Sequence, residues 1–340
     1  VTRVVDRRLA FGPEEKEKFR TFMRMHENFS GCRVLGYCLM CNHVHLLLEV
    51  PPLAAGGLSD EELLRRMKFV HNEVVVAEVG KRLAELRKSG RDEAARELHA
   101  AITYRMHDLG WFMKELLQRF SRWFNQSHER SGTLWESRFK SVLVEDGVAA
   151  QTMAAYIDLN PVRAGMVKDP ADYRWSSYGE ALGGGRVGTG RKARAGLVRA
   201  LLAHRGGEAD ARQWPGKVAR DYRRILLEAG SEKLQEGVKR SGVLEVKVVR
   251  KGMGKAAVAA EMVSLQRGRD MALGRMLRCR VRYFTDGAVL GSRGFVDEVF
   301  RLCRDRFGAK RQSGARRLRG SGAAAAGTLW SARDLHKGIG

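Results

Sequence analysis

No apolar run in this chain approaches the roughly 18 to 20 residues that span a bilayer, and nothing at its start reads as a signal peptide. A membrane partner is therefore not expected, and a cytosolic, cytoplasmic or nucleoid-associated protein is. Cysteine is sparse: five in 340 residues, an odd number that argues against a disulfide framework and for a reducing compartment. Acidic residues are scarce in one half only. Residues 1–180 carry 27 Lys and Arg against 25 Asp and Glu, a net of +2, whereas residues 181–340 carry 35 against 14, a net of +21. Nearly all of the formal +23 thus points from the second half to a polyanion, nucleic acid before an anionic membrane surface. A nucleotide phosphate loop is missing as well, because Lys251-Gly252-Met253-Gly254-Lys255 has too few glycines and no Ser or Thr after its lysine.

What is present centres on residues 36–50, around His43-Val44-His45. The β-branched and aliphatic surroundings predict a buried strand over 32–50, closed by Pro51-Pro52, and residues two apart on a strand share a face. Two imidazoles aimed at one point are half of a divalent-metal site; the blander alternative is a polar pair on a half-exposed sheet face. Cys41 shares the parity of both histidines and Cys38 does not, so a zinc cluster using both cysteines would need a bulge.

Around this strand the chain opens strand-like at Val1 to Val5, with no initiator methionine, and Phe19, Phe22, Met23 and His26 predict an amphipathic helix over 14–28. Residues 53–110 read as a charged helical excursion without chemistry of its own. Leu109, Phe112, Leu116, Phe120 and Trp123 make a stripe best read as core. Residues 130–140 mix a turn with Arg130, Arg138, Lys140 and aromatics, a combination able to hold phosphates and stack a base. Over 148–165, Met153, Tyr156, Ile157 and Asn160 follow a helical period that Pro161 ends or kinks, leaving Tyr156 and Asn160 on one face. With His43 and His45, the combination suggests a metal that polarises a phosphodiester while a tyrosine oxygen attacks it.

Taken together, His43-Val44-His45 after Cys38-Leu39-Met40-Cys41-Asn42, Phe139-Lys140-Ser141, the block from Tyr156 through Asn160-Pro161-Val162-Arg163-Ala164-Gly165, and Asp172 to Tyr178 resemble the single-tyrosine HUH transposases, specifically the REP-associated tyrosine transposase branch. The resemblance covers roughly residues 1–180 and implies an α/β, ferredoxin-like antiparallel sheet with packed helices. It implies Tyr156 as nucleophile on single-stranded or hairpin DNA with palindromic repeats, giving a 5′-phosphotyrosine and a free 3′-hydroxyl that can later rejoin strands. It implies Mg²⁺ or Mn²⁺ held by His43, His45 and Asn160, with Arg163 among the DNA contacts. The first strand looks clipped at Val1, and the excursion at 53–110 is longer than in compact relatives. Some members of the family have lost mobility, so a catalytically silent repeat-binding protein is the alternative.

In the second half, residues 181–196 with Arg191, Lys192 and Arg194 read as a basic glycine-rich linker. Residues 197–309 read as a basic, mostly helical DNA-binding domain. Its short helices fall near 197–203 and 222–228, its extended segment at 246–249, and its cation-rich turn at Lys251 and Lys255. Helix is expected over 256–282, where Arg275, Arg278, Arg280 and Arg282 crowd the later half, and again around Phe295, Val299 and Leu302. The last two resemble a helix-turn-helix only loosely, and a domain gripping backbone phosphates is the simpler expectation. Residues 310–340 read as a flexible basic tail, and monomer and homodimer both stay open.

Overall fold

The computed structural model describes residues 1–183, 189–203, 210–238, 244–265, 284, 287–318 and 328–333. Arg275, Arg278, Arg280 and Arg282, the part beyond 265 of the helix expected over 256–282 and the alanine-glycine tract at 320–327 lie outside the described residues. In chain order the first elements are β1 (Thr2–Arg3), α1 (Pro13–Ser30), β2 (Arg33–Leu39) and β3 (His43–Glu49), followed by α2 (Asp60–Met67), α3 (Glu73–Lys88), α4 (Asp92–Thr103) and α5 (Leu109–Ser127). Next come β4 (Leu143–Val144), α6 (Val148–Asp158), α7 (Asn160–Ala164), α8 (Ser177–Gly183), α9 (Thr189–Leu202) and α10 (Ala219–Gly230). The chain closes with β5 (Lys233–Val238), β6 (Leu244–Arg250), α11 (Lys255–Leu265), β7 (Val289–Gly291), α12 (Arg293–Leu302), β8 (Arg316–Arg317) and β9 (Trp330–Ala332). This is a mixed α/β protein. No helix among the described residues is long and apolar enough to cross a membrane.

The chain divides into two compact units, one of Val4–Val34 and Leu48–Glu136, the other of Val1–Arg3, Leu35–Leu47 and Ser137–Gly340. The first is helical. Ser59, Asn72 and Asp108 cap α2, α3 and α5 by accepting from the backbone N–H three residues on, satisfying donors that a helix start leaves orphaned. Phe29, Leu63, Met67, Leu83 and Ile102 fill the core between α1 and α2 to α4. A second layer joins Phe11, Phe19, Phe120 and Trp135, with Phe19 and Phe120 edge-on at 5.0 Å.

The second unit holds the sheet of order β1-β3-β2, a hairpin of β5 and β6, and a four-stranded sheet of order β4-β7-β9-β8. The expected strand over 32–50 is in fact two strands, because the chain turns at 40–42 and Met40 N–H bonds back to the His43 carbonyl. Cys38 therefore sits on β2 and Cys41 in the turn, which removes the parity relation between Cys41 and the histidines. β2 is the free edge of its sheet, and residues 173–180 line it. Leu39 N–H bonds to the Trp175 carbonyl, Tyr173 Oη donates to the Leu39 carbonyl at 2.6 Å, and Tyr37 Oη donates to Glu180 at 2.7 Å. The edge groups are thereby paired rather than left open.

One core runs across position 180. Ala154, Tyr156 and Ile157 of α6 share it with Leu197, Val198 and Leu201 of α9 and Tyr222, Ile225 and Leu226 of α10. Residues 189–196, expected in a linker, are the first turns of α9, whose apolar positions begin at Ala193. Likewise, residues 316–317 and 330–332, expected in a tail, pair as β8 and β9, and Leu318 and Leu329 are buried. Apolar side chains spaced too sparsely to show a period are enough to order these segments once a sheet edge is there to receive them.

Candidate active site

β3 delivers the histidine pair. It pairs antiparallel with β1, Arg3 opposite His43 and Thr2 opposite Val44, and the alternation of the strand places both imidazoles on one face with ring centroids 4.9 Å apart. His45 is buried, and His43 half-buried. Burial, then the charge of Arg3, pushes His43 down to about 4, and burial, then His43 itself, holds His45 well below its ordinary value. Both rings are neutral at neutral pH, the form that can ligate a metal. His43 Nδ1 lies 2.7 Å from Asn42 Oδ1. An amide oxygen only accepts, so Nδ1 carries the proton and Nε2 keeps its lone pair.

α6 delivers the phenol. Tyr156 is 2% exposed, and its ring meets His45 edge-on at 5.8 Å. Phe284 stacks on the ring at 4.6 Å and 19°, and the Arg163 guanidinium carbon lies 5.1 Å from its centroid. Arg163 comes from α7, one turn beyond a break at Leu159 where Pro161 starts the new helix. Burial, opposed by the phenol and reinforced by Arg250, pushes Arg163 down to about 10, and its Nη2 is buried without a hydrogen-bond partner.

Asn160 Nδ2 donates to the carbonyls of Tyr156 at 2.9 Å and Ile157 at 3.2 Å. The amide nitrogen thus closes the end of α6, and Oδ1 is the atom left to face a cation. Among the described residues no group of three His, Cys, Asp or Glu is poised for a metal. Asn160, the third ligand to the histidine pair that the resemblance implies, opens α7 just beyond the helix that carries Tyr156. Two neutral imidazoles and an amide oxygen fit a divalent cation, and nitrogen donors favour Mn²⁺ over Mg²⁺.

Sequence reading missed three residues that shape this site. Asp158 is wholly buried and accepts from Tyr222 Oη at 2.5 Å and Tyr178 N–H at 3.0 Å. Burial outweighs these donors and pushes it up to about 7. It ties α6 to α8 and α10, and the only sign in the sequence was an acid inside an apolar helix. Phe284 and Arg250 are far from Tyr156 in sequence, and no local pattern connects them to it.

The expected DNA contacts scatter. Arg163 is at the site, and Lys251 lies against Gly165 at the end of α7. Arg194 donates to the Ala181 carbonyl, Arg130 to that of Thr133, and the Lys255 N–H to Glu232. Arg138 reaches over Phe139, and the Lys140 backbone bonds to Val1. Arg191 is exposed and Lys192 half-buried on α9. No family model matches the chain, and no curated protein or solved structure matches it.

Proposed function

We propose that this protein is a metal-dependent single-stranded DNA nicking and strand-transfer enzyme of the HUH type, with the β1-β3-β2 sheet as the core of a ferredoxin-like arrangement. The observation that carries the reading is the convergence of a neutral histidine pair, a phenol and a guanidinium with one buried, unpartnered nitrogen within one cluster of the second unit. A buried guanidinium nitrogen without a partner costs about 1–3 kcal/mol or more, and at Arg163 that nitrogen belongs to the group lying over the phenol ring.

In this reading the Tyr156 oxygen attacks a backbone phosphorus, the bond from phosphorus to the 3′ oxygen breaks, and the 3′-hydroxyl leaves with a proton. The chain is then joined to DNA through a 5′-phosphotyrosine. Attack by an incoming 3′-hydroxyl reverses the exchange, restoring a phosphodiester and the free phenol without an external energy source. Arg163 Nη2 offers a donor to a non-bridging phosphate oxygen. A divalent cation held by His43, His45 and Asn160 supplies Lewis-acid polarisation of the phosphodiester when bound. Asp158 and Tyr222 hold the register of α6, and so the height of Tyr156 against His45. DNA in the nucleoid, with hairpins or palindromic repeats, is the substrate class that goes with this reading.

A second reading has one observation in its favour. Tyr156 is buried and covered by Phe284, as a silent repeat-binding protein would allow; the enzyme needs Phe284 to swing aside when DNA enters. Incubation with a labelled hairpin-bearing single strand and Mn²⁺, followed by denaturing electrophoresis, separates the two. The enzyme gives a protein band carrying covalent DNA that disappears with chelator, and the binding protein gives none.

A further inference from the structure

The sheet face that carries the histidines carries cations as well. Arg3 stands directly opposite His43 in the β1-β3 pair, and residues opposite one another across antiparallel strands project to the same face. Burial along β1 agrees. Thr2 and its partner Val44 are buried on the other face, and Arg3 is half-buried on this one. The outer edge of β1 is taken up by the chain at Lys140. Val1 N–H donates to the Lys140 carbonyl at 2.7 Å, and Lys140 N–H donates back to the Val1 carbonyl at 2.9 Å, the reciprocal exchange of an antiparallel pair. Lys140 therefore shares the face of Val1, and Val1, two residues before Arg3, shares the face of Arg3 and the histidines. Burial, then the charges of Arg3 and Lys140, pushes the Val1 amino group down to about 6, in keeping with both side chains lying beside it.

Continuing the register of β1 and β3 sets Val1 opposite His45, with Lys140 beyond it. Lys140 is thus two strand spacings from His45, about 10 Å, and Arg3 one spacing from His43, about 5 Å. Arg3 and Lys140 are diagonal neighbours, about 7 to 8 Å apart. Exposure rises along the same path: His45 is 4% exposed, His43 and Arg3 are half-buried, and Lys140 is open. Behind burial, the side-chain charges that act on the two histidines come from Arg3, Arg163 and His43, and none is negative. Arg3 has no ion-pair partner among the described residues. Cations ranged on one face from solvent to a buried site favour an anion that passes them all. A single strand can carry a backbone phosphate down to buried side chains, whereas a duplex would first have to open.

We propose that Arg3 and Lys140 form an entry track to the candidate active site, where they hold backbone phosphates of single-stranded DNA next to the one that reaches His43, His45 and Tyr156. The inference rests on the nicking reading for where the strand leads, and on strand pairing alone for where the two cations stand. It routes the strand over β1 rather than over β2, whose edge residues 173–180 already line.

The test uses the full chain with (dT)20 in EDTA, which leaves the strand uncut. On the unaltered chain, (dT)20 at about ten times its Kd should slow acetylation of Lys140 and phenylglyoxal modification of Arg3 about tenfold, read by mass spectrometry. Lys81 and Lys88 of α3, both exposed, should keep their acetylation rates. Arg3→Gln with Lys140→Gln should flatten the salt dependence of (dT)20 binding by about 1.4 in log–log slope, and Lys81→Gln with Lys88→Gln should leave it unchanged. Equal protection of all four side chains, protection by a 20-base-pair duplex but not by (dT)20, or an unchanged slope in the Arg3 and Lys140 variant overturns the track. The track and the nicking reading fail separately. Protection and a flatter slope with no covalent adduct in Mn²⁺ keep the track as a binding site and remove the nicking; an adduct in Mn²⁺ with Arg3 and Lys140 unprotected keeps the nicking and overturns the track.

Discussion

Removing a single oxygen from Tyr222 probes how α6 is held. The phenol donates at 2.5 Å to a carboxylate, Asp158, that is wholly buried, and its ring packs on Tyr178 and Trp214 at 5.7 and 6.1 Å. Tyr222→Phe keeps those ring contacts and deletes one donor to a buried acid, leaving the Tyr178 N–H as its best-defined partner. Above pH 7, where Asp158 is ionised, a hydrogen bond to a charged group is worth about 1.5–3 kcal/mol. Tyr173→Phe is the internal control. That hydroxyl is equally buried and equally short, 2.6 Å, but its acceptor is the neutral Leu39 carbonyl, so its loss should cost about 1 kcal/mol. Urea unfolding at pH 8, followed by far-UV circular dichroism, should rank Tyr222→Phe as the more destabilised by about 0.5–2 kcal/mol. If the two variants are equal, or Tyr173→Phe is the weaker protein, Asp158 is not the charged anchor described here.

Other outcomes follow from the same geometry. His26 is pushed down to about 4, first by burial and then by the charges of Arg119 and Arg105. Its unfolded value is near 6.5, so between these two values the unfolded chain binds the extra proton. Stability from this group is therefore lost as pH falls from about 6.5 to about 4, by up to about 3 kcal/mol; His26→Gln should show a flatter acid limb in urea titrations, and a gap independent of pH would contradict the assignment. At Gly179 a Cβ would overlap the Tyr173 carbonyl where residues 173–180 turn back along β2. Gly179→Ala should therefore cost about 1–3 kcal/mol, read as a shifted urea midpoint that an unchanged midpoint would refute. Truncation after Glu180 removes Leu197, Val198, Tyr222 and Ile225 from the core that packs Tyr156. The fragment should lack a cooperative thermal transition, and a sharp one would show that the first 180 residues close their own core.

The parts legible in the sequence were those with a strong local period. Alternation put His43 and His45 on one strand face, the 3 and 4 spacing of Phe19, Met23 and His26 marked α1, and Pro161 marked the break after α6. The turn at 40–42 was invisible because Met40-Cys41-Asn42 carries neither Gly nor Pro and is flanked by apolar residues on both sides. The boundary drawn at position 180 followed charge, whereas the core follows apolar contact. Helices α9 and α10 carry basic residues on one side and still bury Leu197, Leu201, Ile225 and Leu226 on the other. Charge reports what a surface can meet, not which segments share an interior. Likewise, Trp123 fitted a core stripe by spacing, and it is half-buried where Phe112 and Phe120 are buried.

The central claim is that Tyr156 is the nucleophile, and the most direct test maps the bond it forms. Wild-type chain, incubated with Mn²⁺ and a hairpin-bearing single strand, is denatured, digested with nuclease and trypsin, and read by mass spectrometry. The account requires a nucleotide residue on Tyr156, no such adduct in Tyr156→Phe, and unchanged affinity of that variant for the same strand. A nucleotide on Tyr104, Tyr173 or Tyr178 instead, a covalent complex that survives Tyr156→Phe, or no adduct from the wild-type chain would contradict it.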